Sequence, residues 1–163
     1  MHSFRIVVIE DNQQIAEMTK DFLEMNFPEA ETVVYATGEE AIQKTTVSPD
    51  VFIVDYNLDS VDPKALNGIQ IMMKMKERHK TPVIFLTAQE NATMAANIIK
   101  HGAYDYVAKS NQDSFTRLKI SINNVLEKSK LEKEAVKHRK FIGILAVALV
   151  ALVVGIILLK VMV

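Results

Sequence analysis

The segment that most constrains the fold is Val51–Asp55, in which four apolar residues, Val-Phe-Ile-Val, run directly into one carboxylate. A short unbroken apolar run is typical of a strand that is buried on both faces, as in a parallel sheet. An acid at the end of such a strand lies at the carboxyl edge of the sheet, where open α/β folds place their chemistry. Asp55 by itself is ambiguous, because aspartate is also common in turns.

The sequence up to about residue 127 alternates between strand patterns and helix patterns. Besides the strand that begins at Val51, the predicted strands are Arg5–Ile9, Thr32–Tyr35, Val83–Leu86 and Asp105–Ala108. Such alternation predicts a parallel sheet that is covered by helices on both faces. Right-handed crossovers favour the strand order 2-1-3-4-5. We therefore predict an α/β, flavodoxin-like, doubly wound five-stranded parallel sheet.

Apolar positions within the helical segments predict which residues pack together. In the first helix, from Asn12 to about Asn26, the predicted apolar stripe consists of Ile15, Met18, Phe22 and Met25. In the last helix, which begins near Ser114, the residues predicted to pack on the sheet are Phe115, Leu118, Ile122 and Val125. The helix that Gly68 opens is rich in methionine, which we interpret as adaptable core filling rather than as a metal site.

Polar side chains follow four of the five predicted strands: Glu10 and Asp11, Asp55, Thr87, and Lys109. Three carboxylates that lie close together repel one another unless a cation lies between them. Oxygen ligands without His or Cys favour a hard cation, above all Mg²⁺. A metal, a hydroxyl and an ammonium around a carboxylate suit a phosphoryl group, which the carboxylate can accept as a nucleophile. The simpler alternatives are that the acid pair caps the next helix and that Lys109 is a solvated surface lysine.

The segments that carry these residues resemble the receiver domains of two-component response regulators. They are IVVIEDN at 6–12, PDVFIVD at 49–55, FLTA at 85–88 and GAYDYVAK at 102–109. The resemblance covers residues 1–127. It implies a Mg²⁺ cofactor and a phosphoryl group that is donated by a histidine kinase or a histidine phosphotransfer protein.

The same resemblance implies roles for individual residues. Asp55 matches the phosphoacceptor, and Asp11 matches the direct Mg²⁺ ligand, with Glu10 beside it and often acting through water. Asn57 matches the residue that offers the metal a backbone carbonyl.

Thr87 and Lys109 match the hydroxyl and the ammonium that hold the phosphoryl oxygens. Tyr106 matches the aromatic side chain that turns inward when the hydroxyl moves. The alternative for Tyr106 is an ordinary half-buried strand tyrosine.

The sequence departs from the family pattern at three places. Asp59 stands where the family usually has proline, and the loop Tyr56–Asn67 is several residues longer than usual. Both departures are expected to affect partner recognition and the lifetime of the phosphoryl group, and not the site itself. The family's Lys-Pro, usually cis, is here Lys109-Ser110. We expect a trans bond there, because a cis bond without proline costs about 2.5–4 kcal/mol.

After the receiver pattern, residues 128–140 predict a charged helical stalk with opposite charges at helical spacing, as in Lys128–Glu132. Only Leu131, Ala135 and Val136 are apolar there, which is too thin a stripe for a firm coiled-coil prediction. A solvated stalk is our first interpretation, and a weak parallel homodimer is the alternative.

Residues 141–160 are predicted to form a single transmembrane helix, because Phe141–Leu159 has no charged or strongly polar residue and is about the length that a bilayer core requires. A buried soluble helix would need a polar face, which this segment lacks. Basic residues flank the span, namely Lys137, Arg139 and Lys140 before it and Lys160 after it. The cluster before the span predicts that this side is cytoplasmic and contacts the anionic headgroups of the lipid bilayer.

These features predict a tail-anchored, membrane-tethered single-domain response regulator in the cytoplasmic (inner) membrane, with its receiver in the cytoplasm. We predict a phosphoacceptor signalling domain rather than an enzyme, acting on an unknown downstream protein near the membrane. A net charge of −1 and the absence of a clustered basic face over the first 127 residues argue against nucleic acid as a partner. The alternatives are a phosphorylation-independent membrane adaptor and a phosphate sink in a phosphorelay.

Overall fold

The computed structural model describes residues 4–58, 65–88, 91–110 and 113–162, with side chains as far as residue 147. Strands and helices alternate along these residues. The strands are β1 (Phe4–Ile9), β2 (Ala30–Tyr35), β3 (Val51–Val54), β4 (Val83–Thr87) and β5 (Asp105–Ala108). The helices are α1 (Gln13–Asn26), α2 (Gly38–Lys44), α3 (Gly68–Arg78), α4 (Ala92–Lys100) and α5 (Ser114–Met162).

The five strands form one parallel sheet in the order β2-β1-β3-β4-β5, which confirms the predicted fold class and strand order. In the register between β1 and β3, Ile9 lies opposite Val54. The Asp55 amide then donates a hydrogen bond of 2.9 Å to the Ile9 carbonyl. This pairing brings the residues after both strands to the same edge of the sheet.

The core lies on both faces of the two central strands. Every residue of β3 and β4 is buried, because helices cover the sheet on both sides. Met72 and Met75 of α3 are fully buried, which confirms their predicted role as core filling, whereas Met73 is exposed. α4 is anchored more weakly, since Ile98 is its only buried residue.

The predicted apolar stripe of α1 is wrong in part: Ile15 and Phe22 are half-buried, but the two methionines are exposed. Ala16, Thr19 and Leu23 are the buried residues of this helix, whereas Met18 is 59% and Met25 is 82% exposed. Small side chains at positions 16 and 19 let the helix lie close to the sheet, and hydrophobic size alone did not indicate that face. Phe22 is half-buried and packs on Phe115 of α5, with ring centroids 4.7 Å apart.

The chain divides into two compact units, Met1–Val125 and Leu126–Val163. In the first unit, α5 buries Leu118, Ile122 and Val125, as predicted. In the second unit, every described side chain from 130 to 147 is exposed. The Lys109–Ser110 bond is trans, as expected.

Two predicted features lie partly outside the described residues. The long loop is described only at its ends, so Asp59 is not covered. Where side chains are described, no helical stretch is long and apolar enough to cross a membrane. The predicted span Phe141–Leu159 extends past residue 147, beyond which side chains are not described.

Candidate phosphoryl and metal site

Three carboxylates meet at the carboxyl edge of the sheet. Glu10 and Asp11 follow β1, Asp55 follows β3, and one carboxylate oxygen from each lies within 4.8 Å of the other two. Glu10 and Asp55 are only 3% and 7% exposed, whereas Asp11 is partly exposed. Two nearly buried carboxylates beside a third require a positive charge, because buried like charges are otherwise very unfavourable.

Lys109 supplies one positive charge. Its Nζ lies 2.5 Å from Oε2 of Glu10 and 3.0 Å from Oδ2 of Asp55, and its side chain is 12% exposed. The Lys109 amide donates a 2.8 Å hydrogen bond to the carbonyl of Thr87, which ties the end of β5 to the end of β4. Lys109 is therefore part of the acidic site and not a solvated surface lysine.

Backbone amides also position the carboxylates. The Tyr56 amide donates to Oδ1 of Asp55 at 2.7 Å, and the Asn12 amide donates more weakly to Oε1 of Glu10 at 3.4 Å. The side chain of Asn12 caps α1 by accepting from the amides of Gln14 and Ile15. The N-cap of α1 is therefore Asn12, which follows the acid pair. Sequence patterns could not identify the Tyr56 amide, because a backbone donor has no residue-type signature.

Burial raises the pKa of the Glu10 carboxyl to about 7, even though the hydrogen bond and charge of Lys109 act in the opposite direction. The negative charge of Asp55 adds to the increase. In the absence of metal, a large fraction of the Glu10 carboxyl is therefore protonated near neutral pH.

The donor set fits a small, hard cation. The three acids offer oxygen atoms only, and their spacing allows one ion to contact all three. Asn57, the fourth predicted ligand, is half-buried two residues after Asp55. Such an ion would add positive charge beside the two carboxylates that Lys109 contacts.

The other predicted functional residues fall into two groups: those on the neighbouring strands β4 and β5, and the basic residues of the second unit. Thr87 is fully buried at the end of β4. Tyr106 of β5 is half-buried and packs against the main hydrophobic core. The basic residues Lys137, Arg139 and Lys140 are exposed in the second unit, and the side chain of Lys160 lies outside the described residues.

Gly68 keeps the start of α3 against the site. A Cβ at this position would lie 2.4 Å from the Asp55 carbonyl oxygen and 2.7 Å from Cε1 of Phe85. The Gly68 amide donates to the carbonyl of Tyr56 at 2.9 Å, so the two ends of the long loop are joined next to Asp55. Glycine is needed here for close approach.

Comparisons with known proteins agree with this geometry. The model for the response regulator receiver domain matches residues 6–131. A protein-glutamate methylesterase/protein-glutamine glutaminase from Carboxydothermus hydrogenoformans is 30% identical over 134 residues, covering 80% of this chain and 36% of that protein. The transcriptional regulatory protein CpxR of Escherichia coli is 31% identical over 110 residues, covering 67% of this chain and 44% of the regulator.

A solved structure shows the same fold. The signal receiver domain of a putative LuxO repressor from Vibrio parahaemolyticus matches with a TM-score of 0.70 and 26% identity, covering 82% of this chain and 98% of that one. The chain matches less than half the length of each of these two sequence relatives. From the matched family model and the geometry of the strand ends, this chain belongs to the response regulator receiver domain family.

Proposed function

We propose that the chain is a phosphoacceptor switch whose acceptor is Asp55. The observation that carries the proposal is the contact of Lys109 with both Asp55 and Glu10, within a cluster of three carboxylates. Receiver domains are phosphorylated by histidine kinases or phosphotransfer proteins and bind Mg²⁺ at an acidic pocket. The described acids fit that chemistry.

In the proposed transfer, a carboxylate oxygen of Asp55 attacks the phosphorus of a phosphohistidine. The P–O bond to Asp55 forms as the P–N bond breaks, and the leaving imidazole takes up a proton. Mg²⁺ bound by Asp11, Glu10, Asp55 and the Asn57 carbonyl would neutralise charge on the phosphoryl oxygens. Lys109 stays near the acceptor oxygen and stabilises the same charge.

The output that we propose is a change of conformation and of protein contacts, with no reaction on a separate substrate. The Thr87 hydroxyl would follow the phosphoryl oxygens, and Tyr106 would fill the space that it leaves. Support comes from the position of Thr87 next to Lys109 and from the weak anchoring of the neighbouring α4. Helices with few buried contacts are the elements that local charge changes can shift.

We further propose that residues 141–160 tether this switch to the cytoplasmic membrane. The support is the uncharged apolar composition of 141–159 and the basic residues before it. Tethering would raise the effective concentration of the receiver near membrane-bound kinases and partners. Resistance of the full chain to alkaline extraction from membranes tests this tether, and its release with peripheral proteins would contradict it.

The switch is tested by binding of beryllium trifluoride, which mimics a phosphoryl group on a carboxylate. We expect a slow-exchange bound fluorine NMR signal that requires Mg²⁺ and disappears in Asp55→Asn. Asp50→Asn is a matched control, because Asp50 accepts a hydrogen bond from the Arg5 amide before β3 and does not belong to the three-acid cluster. A bound signal that persists in Asp55→Asn would contradict the assignment of the acceptor.

A further inference from the structure

Charge changes abruptly along the second unit. Between 127 and 134, three glutamates alternate with three lysines, so that this stretch has no net charge. After Glu134 no acidic residue occurs in the rest of the sequence, while Lys137, His138, Arg139 and Lys140 follow within four consecutive positions. The positive charge is therefore concentrated immediately before the apolar segment.

The four residues 137–140, which we call the basic collar, surround the helix. Successive residues of an α-helix are about 100° apart, so four consecutive positions are distributed around its full circumference. All four side chains are exposed in the structure. A binding groove on another protein contacts one face of a helix, whereas a layer of lipid headgroups can contact every side.

The next turns of the helix are apolar on every side. Phe141 and Ile142 are each 63% exposed, and Ile144, Leu145 and Val147 are between 54% and 71% exposed. A helix that is apolar all round is matched to an apolar environment rather than to one packing partner. A collar of positive charge next to such a segment therefore fits the boundary between phosphate headgroups and acyl chains.

We propose that the basic collar binds the phosphate groups of anionic phospholipids and gives this chain a preference for anionic membrane. The inference rests on the proposed membrane tether and adds a lipid class to it. Lysine and arginine near an anionic surface attract it within roughly one Debye length, about 8 Å at physiological ionic strength. The preference should therefore weaken as salt concentration rises.

The sequence contains no tryptophan, which permits a clean optical test. Phe141→Trp, placed next to the collar in the otherwise full-length chain, serves as the energy donor in reconstituted vesicles. The acceptors are phosphatidylglycerol and phosphatidylcholine with the same fluorophore on an acyl chain, each at low mole fraction in neutral lipid. We expect energy transfer to phosphatidylglycerol to exceed transfer to phosphatidylcholine by about two- to fivefold at low salt.

Two variants with the same change in charge separate the collar from the stalk. Replacing Lys137, Arg139 and Lys140 by Gln should make energy transfer from the tryptophan equal for the two labelled lipids. Replacing Lys128, Lys130 and Lys133 by Gln should keep the preference, because these lysines alternate with glutamates. Equal transfer to both lipids in the parent chain, or a preference that the collar variant keeps, would overturn the lipid assignment. Little transfer to either lipid would instead show that the tether itself fails, and would overturn both proposals.

Discussion

The two parts of α5 show how the same helix acquires different properties from what surrounds it. Up to Val125, apolar residues at helical spacing are buried, and Leu118 and Ile122 are completely inaccessible to solvent. Between residues 130 and 147 the apolar side chains are exposed, as Leu131 is to 59% and Phe141 to 63%. Apolar content is therefore informative about packing only where a second surface exists to receive it.

The same contrast applies to charge. Lys109 is 12% exposed and contacts two carboxylates, whereas Lys137 is exposed on the second part of the chain. A cation at the strand ends acts on specific atoms. A cation of the collar acts through the summed charge of its neighbours. Perturbing matched residues in the two regions should consequently give very different results.

The largest contrast is expected in stability. Leu118→Ala should lower the free energy of unfolding by about 2–5 kcal/mol, because it removes a fully buried side chain and leaves a cavity. Leu131→Ala, the same substitution on the exposed part of α5, should change it by less than about 0.5 kcal/mol. Urea unfolding followed by circular dichroism measures both. A large loss in Leu131→Ala would show that this residue is buried against a partner, such as a second copy of the chain.

The next contrast is chemical. Lys109→Gln should slow phosphorylation of Asp55 about a hundredfold, because the developing charge loses a positioned ammonium group. Lys137→Gln should leave the rate unchanged, since Lys137 is an exposed residue that follows none of the strands that carry the site. The rate of phosphate incorporation from a small phosphodonor in detergent measures this contrast. Equal rates of phosphate incorporation in the two variants would show that Lys109 does not contribute to the proposed transfer.

A smaller effect is expected from pH. Because burial raises the pKa of Glu10 from 4.5 to about 7, the folded, metal-free protein binds a proton more tightly than the unfolded chain. This contribution to stability is fully present below about pH 4.5 and is lost as the pH rises towards 7, by an amount on the order of 1–3 kcal/mol.

Comparison of Glu10→Gln with Glu134→Gln isolates this effect in chelator-treated protein. Glu10→Gln should flatten the profile of unfolding free energy between pH 4.5 and 7, whereas Glu134→Gln, an exposed stalk variant, should retain the parent profile. Retention of the full slope in Glu10→Gln would assign the effect to another group.

The grouping of the residues at the strand ends could be predicted from the sequence, because it follows from the topology of the sheet. Unbroken apolar runs identified β3 and β4, and parallel strands place their carboxyl ends at one edge. That reasoning brings Glu10, Asp55 and Lys109 together without any knowledge of side-chain conformation. The contact of Lys109 with Glu10 as well as Asp55 depends on rotamers and distances, which no spacing in the sequence encodes.

The face of α1 shows the opposite case. Hydrophobic size predicts burial of Met18 and Met25, yet both are exposed, while Ala16 and Thr19 are buried. Close approach of a helix to a sheet selects small residues, and hydrophobicity ranks them low. On α5 the large apolar residues Leu118 and Ile122 are buried as predicted, and the small Ser121 is buried beside them.

The central claim is that Asp55 accepts a phosphoryl group. The direct measurement is intact-mass and peptide analysis of the full chain after incubation with a small acyl phosphate donor and Mg²⁺. We predict one added phosphoryl group, located at Asp55, sensitive to hydroxylamine and absent in Asp55→Asn or without divalent metal. Full phosphorylation of Asp55→Asn, or incorporation that does not require a metal, would contradict the claim.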